Sequence, residues 1–288
     1  DCAIMLIDAA KGVEAQTKKL FHVCRMRGTP IVTFVNKLDR PARDPFELMS
    51  EVEEGLGLST VPITWPIGSG DLFQGVYHRQ NKRVLVFERT AKNATKAPVK
   101  VSGIDDPKLD EMLGADAVAE LRSAIELLEG AGDGWDRRRF LAGEISPVFF
   151  GSALTNFGVE PFLEDFADIC PPPGPRETSE GVIEPGDERF TAFVFKVQAN
   201  MDPAHRDRVA FMRIVSGKFE SGMRVWHYRL GKQIRLARAE QLFADERQTV
   251  HEAWAGDIVG LHDPGLYRIG DTLASDKPVT FDSGPRFS

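Results

Sequence analysis

Residues 171–175 read Pro-Pro-Pro-Gly-Pro, and no helix or central strand can run through them. Proline lacks the backbone N–H and its ring clashes with the preceding helical turn, so the chain must change structure here. The apolar periodicity changes at the same point. Before it, short β-type runs alternate with helical patterns, the signature of a parallel sheet covered by helices. From Phe190 onward the spacing is β throughout. The expected architecture is an α/β unit over residues 1–172, a linker over 173–188 and an all-β unit over 189–284. A length of 288 residues suits two domains.

In the first unit, Cys2–Ile7 and Ile31–Val35 read as buried strands. Val13–Arg27 reads as a helix with Leu20, Val23 and Met26 inward, ended by Gly28. Asp44-Pro45 supplies an N-cap and a proline at the first helical position, opening a helix through about Glu54. Val61–Ile67 and Val148–Phe150 are the third and fourth strands expected. The stretch between them is too long for a plain crossover. Tyr77–Arg89 has a hairpin pattern, with Val84, Val86 and Glu88 alternating against Leu85, Phe87 and Arg89. Asp106-Pro107 then starts a capped helix on which Val118, Leu121, Ile125 and Leu128 recur at helical spacing. Residues 68–143 are therefore expected to be an insertion in the α/β unit. Val159, Phe162, Phe166 and Ile169 mark one more amphipathic helix before the prolines. In the second unit Phe193, Phe195 and Val197, then Val209, Phe211 and Ile214, then Met223, Val225 and His227 give short strands. Turn glycines at 217, 222, 231, 256 and 270 separate them, which predicts a small closed barrel.

A 42% hydrophobic and 27% charged composition can bury a core. No run of about 18 apolar residues occurs, so no membrane span is expected. The net charge of −7 gives no overall pull toward nucleic acid. DNA is not an expected partner, and any RNA contact needs a local basic face or protein intermediaries. Cys2, Cys24 and Cys170 are too few and too scattered for a disulfide framework or a zinc site, and no metal site is expected. They read as small buried hydrophobes in a reducing compartment. Asp1-Cys2 runs straight into Ala3-Ile4-Met5-Leu6-Ile7 without an initiator Met or a leader, so the chain is expected to begin inside a domain.

Val35-Asn36-Lys37-Leu38-Asp39 sits where the second strand leaves the sheet, the side on which open α/β sheets bind ligands. Its spacing suits guanine. The Asp39 carboxylate can accept from the ring N1–H and the exocyclic amine together, a bidentate charge-assisted pair that adenine cannot offer. The Lys37 stem can lie along the base, and Asn36 can tie the loop to its neighbours. A strand-end turn with solvated charges is the plain alternative. Phe150-Gly151-Ser152-Ala153-Leu154, at the end of the fourth strand, weighs against that alternative. Small residues there let backbone approach a ligand closely.

The phosphate end is missing. A phosphate-cradling loop needs G-x-x-x-x-G-K-[ST]. Gly-Lys occurs only at Gly217-Lys218-Phe219 and Gly231-Lys232-Gln233, neither with the leading Gly nor the following hydroxyl residue. Asp-x-x-Gly matches once, at Asp257–Gly260, where a turn between strands is the simpler reading. No catalytic residue is expected in this chain.

Ala9-Ala10-Lys11-Gly12-Val13-Glu14-Ala15-Gln16-Thr17 resembles the segment after the second switch of translational GTPases. Phe34–Arg40 and Gly151–Leu154 resemble the guanine motifs of their elongation factor G branch, which also carries an insertion after a run similar to Trp65-Pro66-Ile67-Gly68. The segment Phe195–Ile214, with Phe219–Met223 and Gly256–Leu261, is similar to the bacterial release factor three family. The resemblance covers essentially the whole chain. It implies a truncated G domain of the P-loop NTPase type with an inserted subdomain, followed by a β-barrel like domain II of these GTPases. It implies that Asn36, Lys37, Asp39, Ser152, Ala153 and Leu154 bind guanine, with Ser152-Ala153-Leu154 offering a backbone N–H to its O6. GTP or GDP with Mg would be the cofactor of a longer parent, whose phosphate loop and switches are expected before Asp1 and whose last domain is expected after Ser288. The implied activity is cytoplasmic: GTP-dependent dissociation of codon-reading release factors from the ribosome, through contacts with rRNA and ribosomal proteins. An elongation factor G-like or ribosomal protection GTPase, or a non-enzymatic ribosome-binding pseudo-GTPase module, are the rivals.

His205, Arg206, Arg208 and Arg213 form either a basic RNA face or a salt-bridged barrel surface with Asp202 and Asp207. His22 reads as a helix-surface residue, Trp65, Trp226 and Trp254 as core or rim aromatics, and Arg229, Lys232, Arg235 and Arg238 as a charged hairpin edge.

Overall fold

A computed structural model describes residues 1–87, 99–101, 103–131, 134–199, 208–236, 239–243, 246–277 and 279–281. The chain divides into two compact units, Asp1–Pro171 and Pro172–Ser288.

The first unit begins β1 (Ala3–Asp8), α1 (Ala15–Met26), β2 (Ile31–Asn36), α2 (Pro45–Leu56) and β3 (Ser59–Pro62). It continues β4 (Thr64–Ile67), β5 (Gly75–His78), β6 (Arg83–Val86), β7 (Val99–Val101), α3 (Lys108–Leu113), α4 (Ala115–Ala131) and α5 (Arg137–Leu141). β8 (Ile145–Phe150) and α6 (Val159–Ile169) close it. β1, β2, β8 and β3 lie side by side in that order as a parallel sheet. β4 to β7 form a second, antiparallel sheet. β2 and β8 sit centrally and are buried almost end to end, as parallel strands with both faces covered must be. The polar side chains they bury are paired: Thr33 and Ser146 are 2.7 Å apart, and Ser146 donates to the Ile31 carbonyl.

Three sequence expectations change here. Val61–Ile67 is two strands, because Ile63 hands the chain from one sheet to the other. Its N–H bonds Val148 of the parallel sheet and its carbonyl accepts from Arg79, beside β5. Leu20 and Met26 face solvent at 56% and 58% exposure instead of inward. α1 covers the edge strand β1 with one shallow face, which Thr17, Phe21 and Cys24 supply as half-buried residues. The helix expected after Asp106 breaks at Gly114, whose φ of 87° ends α3 before α4 begins. Val118, Leu121, Ile125 and Leu128 are buried along α4, as their spacing predicts. Val84 to Phe87 are buried on both faces, while Glu88 and Arg89 lie outside the described residues.

In the second unit, β9 (Arg176–Thr178) and β10 (Gly181–Ile183) form a hairpin within the tract expected as linker. The strands that follow are β11 (Thr191–Ala199), β12 (Arg208–Ser216), β13 (Lys218–Glu220), β14 (Arg224–His227) and β15 (Lys232–Arg235). After them come β16 (Ala239–Phe243), β17 (Glu246–Thr249), β18 (Glu252–Trp254), β19 (Ile258–His262) and β20 (Thr272–Ala274). Eight of these make a curled antiparallel sheet, a half-barrel in the order β15-β14-β20-β11-β12-β19-β16-β17, and β13 pairs with β18. Phe190, Val194, Met212, Ile214, Phe219, Val225 and Leu273 fill its core. Residues 200–207, which carry most of the motif from Gln198 to Arg208, lie outside the described residues, as does Arg238.

Candidate functional site

The site grows from two neighbouring strand ends. β2 and β8 run parallel with Val35 beside Phe150, so the loops leaving them emerge together. Backbone bonds then lace the loops: Gly151 N–H donates to the Val35 carbonyl at 2.9 Å, and Leu38 N–H donates to the Gly151 carbonyl at 3.2 Å. Leu38 is buried and anchors the first loop, while Gly70 N–H donates to its carbonyl. Lys37 takes a φ of 72°, the left-handed region that costs a side-chain-bearing residue energy and persists only where the surroundings enforce it.

All six residues expected to read guanine stand on these loops, and five are tied to one another or to the sheet. Ser152 Oγ donates to Asp39 Oδ1 at 2.5 Å. Asn36 Oδ1 accepts from the N–H of Lys37 at 2.8 Å and from the N–H of Ala153 at 2.9 Å. One asparagine oxygen thus fixes its own loop and grips the partner loop. The Asp39 side chain is 12% exposed, with Arg40 Nε 3.8 Å from its second oxygen. Leu154 is 74% exposed and presents its side chain to solvent.

Asp8, which the sequence reading passed over, completes the arrangement. It ends β1, beside Asn36 in the parallel register, and its carboxylate meets Lys37 Nζ at 2.7 Å. The Lys37 hydrogen bond holds the Asp8 carboxyl below its usual range, outweighing the burial that would raise it. The available signal was the position: an Asp closing a strand that neighbours the strand before Asn-Lys-x-Asp.

The second loop is shaped by glycine. A Cβ on Gly151 would sit 2.5 Å from the Phe157 carbonyl oxygen and 2.8 Å from the Phe34 ring. Phe157 accepts from Ser152 N–H, closing the loop into a tight turn. The single Asp-x-x-Gly, Asp257–Gly260, opens β19 in the second unit, where Trp254 N–H donates to the Asp257 carboxylate. Asp257 follows the turn after β18, and Ile258, Val259 and Gly260 already belong to β19. Among the described residues no three His, Cys, Asp or Glu side chains converge to hold a metal, and no helix is long and apolar enough to cross a membrane.

A parallel sheet whose adjacent strand ends carry Asn-Lys-x-Asp and Gly-Ser-Ala is a GTP-binding architecture. Residues 1–172 match the family model of the elongation factor Tu GTP-binding domain, and residues 189–276 that of elongation factor G domain 2. The chain belongs to the translational GTPase family that these domains define. Over 288 residues it is 58% identical to peptide chain release factor 3 of Symbiobacterium thermophilum, covering all of this chain and 54% of that protein. Peptide chain release factor 3 of Gloeobacter violaceus is 53% identical over 287 residues, again with all of this chain and 54% of the relative covered. That of Synechocystis sp. is 51% identical over 289 residues, with 53% of it covered. The chain spans about half the length of these curated relatives.

Proposed function

We propose that this chain supplies the guanine-reading loops of a cytoplasmic, ribosome-dependent GTPase that dislodges codon-reading release factors after peptide release. The observation that carries guanine reading is the double latch, Ser152 on Asp39 and Asn36 on Ala153. The Ser152 bond fixes the rotation of the Asp39 carboxylate, which then accepts from guanine N1–H and the exocyclic amine. Asn36 Oδ1 accepts from the Ala153 N–H and so ties the second loop to the first, which holds the Ser152-Ala153-Leu154 turn in place for a backbone N–H of that turn to meet guanine O6. Lys37 lays its stem along the base while Asp8 holds its amine. Leu154 extends the turn that lines the base.

The phosphate end does not fit. Neither Gly-Lys pair has the cradle's spacing, and both lie in the second unit. Phosphates and Mg would be held by other parts of a longer protein. The termination role is brought by the relatives named peptide chain release factor 3, and ribosomal RNA, ribosomal proteins and the codon-reading factor are the partners it entails.

The test is Asp39→Asn in a longer chain that includes a phosphate loop. An amide can donate to xanthine's additional carbonyl oxygen but cannot accept twice from guanine. Loss of a charge-assisted pair of about 1.5–3 kcal/mol predicts a drop in GDP affinity of at least tenfold and a gain for XDP. Full retention of guanine preference in a nucleotide titration would remove Asp39 as the reader.

A further inference from the structure

We propose that Cys2 and Cys170 form a dithiol site which a peroxide converts to a disulfide, stapling the start of β1 to the end of α6. The two residues are 168 positions apart, yet their sulfurs stand 3.0 Å from each other and both side chains are half-buried. A disulfide needs about 2.05 Å, so roughly 1 Å of approach completes the bond. The flanking backbone is already paired across the same junction. The Asp1 nitrogen bonds the Pro171 carbonyl at 3.0 Å across it, while Ala3 N–H on the Pro30 carbonyl and Cys170 N–H on the Phe166 carbonyl hold each side to its own element. Cys170 caps α6 in an extended conformation with Pro171 next, so neither side can drift away by extending the helix.

The pair is chemically unequal. Burial, then the hydrogen bond and charge of Cys170, push the Cys2 thiol up to about 12. Cys2 therefore keeps its proton, and the first attack falls to the Cys170 sulfur. Hydrogen peroxide is the oxidant. The Cys170 sulfur attacks one peroxide oxygen as its proton departs, the O–O bond breaks, and the leaving hydroxide collects that proton as water. The resulting sulfenic acid is attacked at sulfur by Cys2, whose proton goes to the departing hydroxyl as a second water. Two thiols lose two hydrogens and two electrons, and one peroxide becomes two waters. Cys24, half-buried on α1, takes no part and serves as the internal control.

The staple would close a loop spanning almost the whole first unit, a constraint that acts mainly on the unfolded chain. It would also fix the last residue of α6 where the chain leaves that unit. The experiment treats the folded chain with hydrogen peroxide, alkylates remaining thiols and maps the peptides by mass. The expected result is a Cys2–Cys170 linked pair lighter by two hydrogens, with Cys24 alkylated, a raised thermal midpoint, and reversal of both by dithiothreitol. In Cys170→Ser the treated protein should keep Cys2 fully alkylatable. The proposal is overturned if Cys2 and Cys170 both alkylate as free thiols after treatment while circular dichroism shows native fold. Overoxidation of Cys170 with Cys2 untouched, or linkage only through Cys24, overturns it equally.

Discussion

Ser152 does its work through one hydroxyl, which donates to Asp39 at 2.5 Å. Ser152→Ala removes that donor and leaves the carboxylate free to rotate. In a longer chain with a phosphate loop the expected cost is about 1.5–3 kcal/mol of guanine nucleotide affinity, with folding little changed. A fluorescence titration with a labelled GDP reads it, and an unchanged Kd would mean that the latch does not orient Asp39. A second residue-scale prediction lies in the half-barrel, where His227 is fully buried 3.1 Å from Asp271. Burial pushes the imidazole below its ordinary value by more than Asp271 raises it. An unfolded chain therefore binds a proton near pH 6.5 that the folded unit refuses, and stability falls as pH drops through that range. Burial tends to raise the Asp271 carboxyl, but the Arg229 hydrogen bond and backbone donation from Arg268 leave it lowered overall. Its contribution stands above the ordinary carboxylate range and is lost only at lower pH. Thermal melts of the 288-residue chain from pH 8 to pH 5 should show a declining midpoint for the half-barrel, and His227→Gln should flatten it.

At the scale of elements, the loop between β8 and α6 depends on two glycines for different reasons. Gly151 is needed for space, whereas Gly158 has a φ of 77° and would place a Cβ 2.6 Å from the Phe150 carbonyl oxygen. Gly158→Ala should cost about 1–3 kcal/mol in urea unfolding of the first unit, since both the backbone region and the contact resist a side chain. An alanine variant as stable as the parent would show that the loop tolerates another path. Much of this level was legible in advance. Asp44 accepts from Phe46 and Glu47 N–H, Pro45 follows it, and Gly57 ends α2 at a φ of 65°, so cap chemistry written locally was honoured locally. What stayed hidden was set by distant partners. Leu20 and Met26 share helical spacing with Val23, but which face of α1 turns inward depends on β1, and no residue within the helix records that. Val61 to Ile67 is apolar throughout, and nothing in a short apolar run says that its halves join different sheets. The candidate guanine-reading loops could be picked out because two short motifs fall at strand ends, which the structure brings together. Asp8 could not, because its role appears only when β1 is laid beside β2 in register.

For the molecule as a whole, a GTP-binding α/β unit and an elongation factor G-type second domain occur in one chain. In a protein built this way, nucleotide state reaches a partner only if that partner binds the two states with different affinity. A β-rich domain in one chain with a G domain can carry the difference as a rigid-body movement. The net charge of −7 is compatible with a ribosomal partner if protein surfaces and a local basic face share the contact. Arg208 and Arg229 do not supply such a face freely, because Arg208 lies 3.0 Å from Asp263 and Arg229 is bonded to Asp271. On the proposed reading, a full-length protein that carries this chain acts at termination through a nucleotide-dependent fit to the ribosome rather than through bulk attraction. Adding it with GTP to post-release ribosomes that hold a codon-reading release factor should speed dissociation of that factor by at least tenfold, a change of about 1.4 kcal/mol in the barrier. The same ribosomes with GDP alone should show no such acceleration, and Asp39→Asn should shift the dependence from GTP to XTP. If release-factor dissociation is unchanged while movement of tRNA and mRNA accelerates, the protein works at translocation instead.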